Sequence, residues 1–261
     1  MKNEFDLYAD FYDKWNQSFV SDIPLWLEYA KSCGPPILEL CCGTGRILFP
    51  LAKEGIEITG LDISEKMLEK AREKLNKESE EIKKRVTLLQ GDMRNFHLKK
   101  EFNLIFIPFN SFQVLLSMEE QNNCLRSVHK HLTSQGRLMI SVFHPDLTRA
   151  EGVLRSEGDI LEGYPEKEDL TQIYSNQFYD KPKQILKVRL FVETNKPDGR
   201  FFRKTIDLKM RYFFPAEFER MLISNGFEKE ELFGDYDKSS FEAKSPFMIF
   251  IAKKAKGSGG L

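Results

Sequence analysis

The sequence predicts an α/β protein built around a mostly parallel β-sheet. Between residues 35 and 145, short and nearly continuous apolar segments alternate with longer amphipathic ones. Strands of a parallel sheet are buried on both faces and therefore carry such runs, and right-handed crossovers place helices on both sides. A glycine-rich turn follows the first apolar segment directly. It stands where open α/β sheets bind ligands, which favours the same fold class.

The composition is that of a protein with a sizeable apolar core. Of the 261 residues, 41% are hydrophobic and 22 are Phe. The formal net charge of -1 provides no overall field that would attract nucleic acid or an anionic membrane. The chain has no basic-then-apolar leader, and no uncharged apolar run approaches the ~18 residues that span a bilayer. We therefore expect a cytoplasmic protein that binds neither membrane nor, on balance of charge, nucleic acid.

Periodicity predicts two short helices within residues 5–32, before the first strand. Ser64 is expected to cap a helix. The expected strands are 36–41, 56–63, 86–92, 102–109 and 136–143, and the expected helices between them are 45–54, 64–78 and 119–132. A helix at 215–226, strands near 227–234 and 247–254, and a flexible tail at 256–261 complete the chain.

The pattern changes after Pro145. Residues 146–170 are polar and glycine-rich, and the segments QILKVRLFVE and RKTIDLKMRYFF then alternate apolar and polar residues around the turn NKPDG. Alternation with such a turn predicts a hairpin, with Ile206 and Leu208 on one face. We expect residues 146–213 to form an antiparallel cover on a core of residues 1–145 and 214–255, with 1–32 as a helical lid.

Four cysteines stand at positions 33, 41, 42 and 124, and none belongs to a C-x-x-C pair. Adjacent cysteines such as Cys41 and Cys42 rarely bridge each other because the ring is strained, and zinc ligands must converge on one point. We expect no metal site. The two residues are better explained as small, polarizable side chains that pack under a tight turn.

The turn itself, Gly43-Thr44-Gly45, allows the backbone to approach a ligand. Its N–H groups and the following helix N-terminus favour an anionic group, either a phosphate or a carboxylate. The third glycine of the dinucleotide fingerprint would stand at position 48, which is Leu48. This departure ranks a nicotinamide oxidoreductase last among the enzyme classes considered.

Three carboxylates follow successive strands. Glu39 ends the first strand, where an acid suits a cationic ligand better than a pyrophosphate. Asp62 ends the second strand, where a carboxylate can accept both hydroxyls of a ribose. Asp92 follows the third strand. Because the carboxyl ends of parallel strands share one edge, we expect the three side chains to face the same nucleoside-type ligand.

The segments LELCCGTGR, GLDIS, QGDMRNF, FNLIFIPFNSFQVL and GRLMISVFHP resemble the class I S-adenosylmethionine-dependent methyltransferases. The resemblance covers about residues 35–145, and the last helix and two strands less specifically. It implies a Rossmann-like seven-stranded sheet of order 3-2-1-4-5-7-6 with the last strand antiparallel. It also implies S-adenosylmethionine as cofactor and S-adenosylhomocysteine as product. One departure is Cys41, where the family commonly has glycine.

By position in the resemblance, the glycines of the turn would border the methionine moiety and Asp62 would bind the ribose. Asp92 and the Met93 backbone would meet the adenine. The full set of expected cofactor contacts is Tyr12, Glu39, Cys41, Gly43, Thr44, Gly45, Asp62, Ile63, Met67, Asp92, Met93 and Phe109.

Methyl transfer from a sulfonium is an in-line displacement, so alignment and exclusion of water can supply most of the acceleration without an obligatory base. Asn110 and His144 follow the fourth and fifth strands and are the catalytic candidates. His144 is equally explained as the cap of a strand, and Asn110 as the residue that fixes a turn. Expected substrate contacts are Tyr8, Tyr179 and Tyr212.

The predicted cover resembles that of small-molecule N-methyltransferases, including aminosugar and glycine-type enzymes. The sequence therefore predicts a methyltransferase acting on a nitrogen or oxygen of a small molecule, as a monomer or homodimer. Methylation of RNA or protein is the alternative, and a basic rim would distinguish it. A non-catalytic protein that binds S-adenosylmethionine is the third hypothesis.

Overall fold

The computed structural model describes residues 4–16, 18–145, 154–155, 159–161 and 170–256. The helices are α1 (Glu4–Asn16), α2 (Ile23–Cys33), α3 (Leu48–Lys53), α4 (Glu65–Lys77), α5 (Glu80–Arg85), α6 (Met118–His131) and α7 (Pro215–Ser224). The strands are β1 (Ile37–Leu40), β2 (Ile58–Asp62), β3 (Val86–Gln90), β4 (Phe102–Ile107), β5 (Leu132–Phe143), β6 (Leu154–Arg155), β7 (Asp159–Leu161), β8 (Leu170–Asp180), β9 (Ile185–Asn195), β10 (Phe201–Arg211), β11 (Phe227–Phe233) and β12 (Phe247–Lys254).

The core is a seven-stranded sheet in the order β3-β2-β1-β4-β5-β12-β11. Strands β1 to β5 are mutually parallel, whereas β12 is antiparallel to both of its neighbours. Counted in chain order within this sheet, the order is the expected 3-2-1-4-5-7-6. Every residue of β1 and β2 is buried, which explains their continuous apolar sequence.

Helices cover both faces of this sheet, as expected. On one face α6 and α7 contribute Leu125 and Phe218 to an apolar cluster. On the other face α2 and α3 contribute Trp26 and Leu51, and the Trp26 indole stacks on Phe106 with ring centroids 5.1 Å apart. No helix in the described part of the chain is long and apolar enough to cross a membrane.

Three differences from the sequence expectation within the core are larger than two residues. Residues 44–47 form a turn, so α3 begins at Leu48 rather than near 45. The separate helix α5 follows α4 because the Ser79 hydroxyl accepts a hydrogen bond from the Ile82 N–H and caps a new helix. Strand β5 begins at Leu132, four residues early, because Leu132 pairs with Phe102 although polar residues follow it.

The insert forms a second, antiparallel sheet in the order β10-β9-β8-β6, with β7 also paired to β8. The expected hairpin is β9 with β10, in a register that places Ile206 opposite Leu190. Strand β8 was not expected, because inward positions such as Thr171 and Ser175 are polar and interrupt the apolar alternation. Part of the polar segment predicted at 146–170 lies outside the described residues, as do residues 257–261 of the predicted tail.

One face of the insert sheet is packed. Leu186, Val188, Leu190 and Ile206 form a small apolar cluster with α1 and with the end of β5 through two partly buried side chains, Trp15 and Phe143. The predicted inward face of β10 therefore contacts the core, and the contact lies at the edge of the core sheet where β5 ends.

Candidate active site

The turn between β1 and α3 is held by backbone hydrogen bonds. The Cys42 N–H donates to the Leu61 carbonyl at 3.1 Å and the Gly45 N–H to the Cys42 carbonyl at 2.9 Å. Gly45 has a φ of +84°, and a Cβ there would lie 2.4 Å from the Phe49 ring. Only glycine therefore fits this position, which explains the second glycine of the motif.

Asp62 fastens this turn to the end of β2. Its carboxylate accepts the Gly43 N–H at Oδ2 and the Ser64 N–H at Oδ1, each at 2.8 Å. Burial raises the pKa of Asp62, against the lowering effect of these two hydrogen bonds. The Ser64 hydroxyl also caps α4 by accepting the Met67 N–H, as expected.

Glu39 lies at the end of β1 with 2% of its surface exposed. Its Oε2 atom is buried and has no hydrogen-bond partner. Burial raises the pKa of Glu39 well above its usual range, and Arg46 only partly opposes this shift. A buried carboxyl oxygen without a donor is costly, so Glu39 marks a place that a polar or cationic ligand would stabilise.

Arg46 forms an ion pair with Asp22 rather than with Glu39. Its two terminal nitrogens donate to the carboxylate oxygens of Asp22 at 2.7 and 2.6 Å. The Trp26 indole N–H donates to the same carboxylate at 3.1 Å, and Asp22 is fully buried. The guanidinium also lies 4.8 Å from the centroid of the Phe109 ring. The region thus contains the buried acids Asp22, Glu39 and Asp62 around one Arg.

Asp92 lies two residues beyond the end of β3, at the same edge as Glu39 and Asp62. Its carboxylate receives the Arg94 side chain at 2.6 to 3.0 Å and the Arg94 N–H at 2.9 Å. These bonds outweigh burial and lower the pKa of Asp92. The neighbouring Met93 is buried, and its sulfur lies 3.4 Å from the Cys41 Sγ.

Helix α1 lies directly over the turn. A Cβ added to Gly43 would lie 3.9 Å from Cζ of Tyr12, and burial raises the pKa of Tyr12 to about 12. The Thr44 hydroxyl donates to Asp13 at 2.6 Å, and Lys74 of α4 donates to the same carboxylate oxygen at 2.7 Å. The helix is therefore positioned by contacts to the turn itself.

A second contact fixes the other end of α1. Asp6 accepts the Ser64 hydroxyl at 2.6 Å, seven residues before Asp13 and so on the same helix face. Thr44 and Ser64 are 0% and 1% exposed. Both hydroxyls that anchor α1 thus flank Asp62, and neither contact was expected from the sequence, because the partners are 31 and 58 residues apart.

The ends of β4 and β5 carry the catalytic candidates. Phe109 and Asn110 have positive φ values of +53° and +64°, and the Asn110 N–H donates to the Ser141 carbonyl at 3.2 Å. The Asn110 Oδ1 is buried and has no partner. His144 follows β5, where its Nδ1 lies 3.0 Å from the Ser245 carbonyl. Since a carbonyl only accepts, this contact assigns the donor role to Nδ1 and leaves Nε2 free of that contact.

A residue that the sequence did not single out, Gln113, joins the insert to the core. It is 0% exposed, accepts the Phe143 N–H at 2.9 Å and donates to the Arg211 carbonyl at 3.1 Å. The only sequence signal is one amide within the apolar run SFQVLL. Asp13, Asp22 and Arg46 were also missed.

The remaining predicted ligand contacts do not all lie at the turn. Tyr179 and Tyr212 pack on each other with ring centroids 5.5 Å apart, and Tyr212 is 1% exposed near the turn between β8 and β9. Ile63 is 42% exposed beyond β2, whereas Met67 is buried in α4. Tyr8 belongs to α1, but its side chain lies outside the described residues. Their assignments as ligand contacts stay predictions.

The cysteines pack rather than pair. Cys41 and Cys42 are free thiols whose pKa values burial raises well above the usual range. A Cβ at Gly60 of β2 would lie 2.8 Å from the Cys42 Sγ, so this thiol fills tight space beside the strand. In the described ranges, no three or more His, Cys, Asp or Glu side chains are grouped to hold a metal ion.

Comparison with known proteins shows that the chain is similar to methyltransferases. A family profile described as "Methyltransferase domain" matches residues 31–221. The solved structure of the CcbJ methyltransferase from Streptomyces caelestis superposes with a TM-score of 0.79 at 27% identity, covering 95% of this chain and 96% of that one.

Two other relatives have more specific names. The dTDP-3-amino-3,4,6-trideoxy-alpha-D-glucopyranose N,N-dimethyltransferase of Streptomyces venezuelae is 30% identical over 161 residues, 59% of this chain and 65% of that protein. CalS10, described as an amino pentose methyltransferase from Micromonospora echinaspora, was solved bound to S-adenosylmethionine. It superposes with a TM-score of 0.72 at 19% identity, covering 95% of this chain and 97% of its own, which shows the shared fold.

Proposed function

Because the chain belongs to the methyltransferase domain family and is an S-adenosylmethionine-dependent methyltransferase, we propose that it methylates a nitrogen or oxygen of a small molecule. The observation that carries this proposal is the insert sheet. Its apolar face packs on α1 and on the end of β5 through Trp15 and Phe143, beside the strand ends where Asn110 and His144 lie. A cover closed onto that edge limits the size of an acceptor.

The residues present fit the cofactor. Asp22, Glu39 and Asp62 are buried carboxyls around one buried guanidinium, so the region favours a ligand that carries positive charge. The Gly43 to Gly45 turn would hold the methionine half, with Tyr12 above it, and Asp62 the ribose. When bound, the cofactor supplies an activated methyl group as an electrophile, and this chain's residues align the acceptor and exclude water.

For the adenine, we propose contacts from Asp92, Met93 and Ile63, with Cys41 and Met67 packing beneath. Arg94 already occupies much of the Asp92 carboxylate. The N–H group of an adenine amine would therefore have to replace part of the guanidinium contact, since each carboxylate oxygen already accepts two N–H groups of Arg94.

On the acceptor side, we propose that the Asn110 Oδ1 accepts a hydrogen bond from the nucleophile. Its Oδ1 is shielded from water and has no donor, so an amine or hydroxyl of the acceptor would satisfy it. His144 would take a proton at Nε2, because its Nδ1 is engaged with Ser245. The N,N-dimethyltransferase among the relatives favours an amine over a hydroxyl.

The test is to measure S-adenosylhomocysteine formation with purified protein and a panel of small acceptors. The panel contains aminosugar nucleotides, amino acids and hydroxylated analogues matched to each amine, with bulk RNA and unfolded protein as separate arms. We expect turnover with at least one small amine. Turnover confined to RNA or protein would replace the small-molecule proposal, and binding of cofactor without turnover of any acceptor would favour a non-catalytic role.

A further inference from the structure

The buried charges beside the glycine turn do not balance. Asp22 is neutralised by Arg46 through two hydrogen bonds, and the side chains of this ion pair are 0% and 11% exposed. Asp62 carries no ion pair, but both of its oxygens accept backbone N–H groups. Glu39 has neither arrangement, because its Oε2 has no partner at all.

The groups packed around Glu39 compensate a negative charge there only in part. The turn contributes Arg46, which is already paired, while Asp22 and Asp62 contribute negative charge. From α3 the Leu48 N–H donates to the carboxyl, and the Tyr12 side chain of α1 is close enough to interact electrostatically with it. A carboxyl that is 2% exposed and surrounded in this way is far more stable neutral than ionised.

We infer that the cofactor binds in exchange for a proton: Glu39 is protonated in the free protein and becomes ionised when the ammonium group of the cofactor's amino-acid half lies beside it. The O–H bond of the carboxyl breaks, its electron pair stays on the carboxylate, and the proton passes to the buffer. This inference rests on the cofactor of the proposed function and is independent of the acceptor.

The proton balance gives the direct test. Titrations of S-adenosylhomocysteine into the protein by calorimetry are repeated in buffers of different ionisation enthalpy, between about pH 5.5 and 8. We expect proton release that approaches one per site at pH values below the Glu39 pKa of the free protein and falls toward zero above it. The dissociation constant should rise up to about tenfold for each pH unit below the Glu39 pKa.

Two variants identify the group. Glu39→Gln should bind more weakly at basic pH, release no proton and lose the pH dependence of affinity. Asp62→Asn is the matched control, because that carboxylate is stabilised by two N–H groups; it should bind more weakly but still release the proton. Proton release that persists in Glu39→Gln and disappears in Asp62→Asn would overturn the assignment to Glu39.

A second ligand tests whether the amino-acid half of the cofactor causes the proton release. 5′-Methylthioadenosine retains the nucleoside and sulfur but lacks the amino-acid half, so it should bind without proton release. Release with this ligand would overturn the inference. Binding of S-adenosylhomocysteine with no proton release at any pH would also overturn it while leaving the methyltransferase proposal intact, whereas failure of both cofactor forms to bind would overturn both.

Stability supplies a readout that needs no ligand. A raised native pKa means that the neutral carboxyl stabilises the fold at acidic pH, and that this contribution is lost as pH rises through the native pKa. The free wild-type protein should therefore lose thermal stability toward basic pH more steeply than Glu39→Gln. Parallel curves for the two proteins would show that Glu39 is already ionised, and would overturn the inference.

Discussion

The glycine turn and the insert sheet are held together by opposite means. At the turn, buried carboxylates fasten backbone N–H groups, as Asp62 does to Gly43. On the outer face of the insert, exposed ion pairs such as Arg189 with Asp207 join neighbouring strands, with side chains 57% and 58% exposed. Buried hydrogen bonds to charge are strong and directional, whereas exposed pairs are weakened by water and salt.

We therefore expect the two regions to respond differently to the loss of a single contact. The turn, to which we assign the cofactor, is held by a few buried hydrogen bonds, so we expect the loss of one to disturb its shape. The insert packs through a small apolar cluster, so we expect changes on its outer face to have little effect. Gln113 joins the insert to the core sheet, since one amide holds both the end of β5 and the end of β10. The predictions below test this contrast, beginning with the largest expected effect.

Ile206→Ala should separate the two regions most clearly. Ile206 is 2% exposed in the insert cluster, and truncating a buried Ile costs about 2–5 kcal/mol. We expect loss of methyl transfer while the affinity for S-adenosylhomocysteine, measured by calorimetry, stays within about twofold. Thr205→Ala, on the exposed face of the same strand, is the control and should leave both unchanged. Equal loss of cofactor affinity would show that the regions are not separable.

Asp62→Ala should disrupt the glycine turn. Two buried N–H groups lose their acceptor, which costs about 1–3 kcal/mol for each group left unpaired. We expect cofactor affinity to fall at least about tenfold, equivalent to roughly 1.4 kcal/mol. Calorimetry with S-adenosylhomocysteine measures it, and an unchanged dissociation constant would remove the proposed ribose contact.

Asn110→Ala tests the junction between cofactor and acceptor. Removing the unpartnered Oδ1 should lower kcat/KM for the small acceptor by about tenfold, because a hydrogen bond to the nucleophile contributes roughly 1–1.5 kcal/mol. The dissociation constant of S-adenosylhomocysteine serves as the internal control and should not change. Steady-state kinetics showing a full wild-type kcat/KM would restrict Asn110 to fixing its turn.

Asp13→Asn should have a smaller effect. We expect it chiefly on the rate at which the cofactor dissociates. The variant weakens the contacts from Thr44 and Lys74 that hold α1 over the turn. Because Asp13 is 44% exposed, we expect S-adenosylhomocysteine to dissociate only about threefold faster in stopped-flow experiments. Asp10→Asn, whose contacts to Lys70 and Lys204 are longer at 3.7 and 3.8 Å, should change the rate less. A larger effect from Asp10→Asn would contradict this description of the lid.

Asp207→Asn should have the smallest effect of the series. Its partner Arg189 is exposed on the outer face, so removing the charge should change neither the thermal midpoint nor methyl transfer measurably. A clear loss of transfer would show that the outer face takes part in function and that the contrast between the two regions is wrong.

Elements with a regular apolar pattern were predictable from the sequence, whereas elements without one were not. The helices, the core strands and the hairpin were predictable because each has its own period of apolar residues along the chain. Strand β8 was not, because polar residues occupy inward positions. The short helix α5 after Ser79 was not predicted, although α4 ends close to the expected residue 78.

The sequence by itself determined the fold class, the order of the sheet through its family resemblance, and the edge at which Glu39, Asp62 and Asp92 lie. It did so because strand periodicity and turn glycines are local, and because parallel strands end at a common edge. Only the tertiary structure decided that Asp22 neutralises Arg46, that Asp6 and Asp13 fasten α1, and that the Oε2 atom of Glu39 is left without a hydrogen-bond partner. Those outcomes depend on which side chains meet across 24 to 58 residues of chain, and no local pattern encodes such distances.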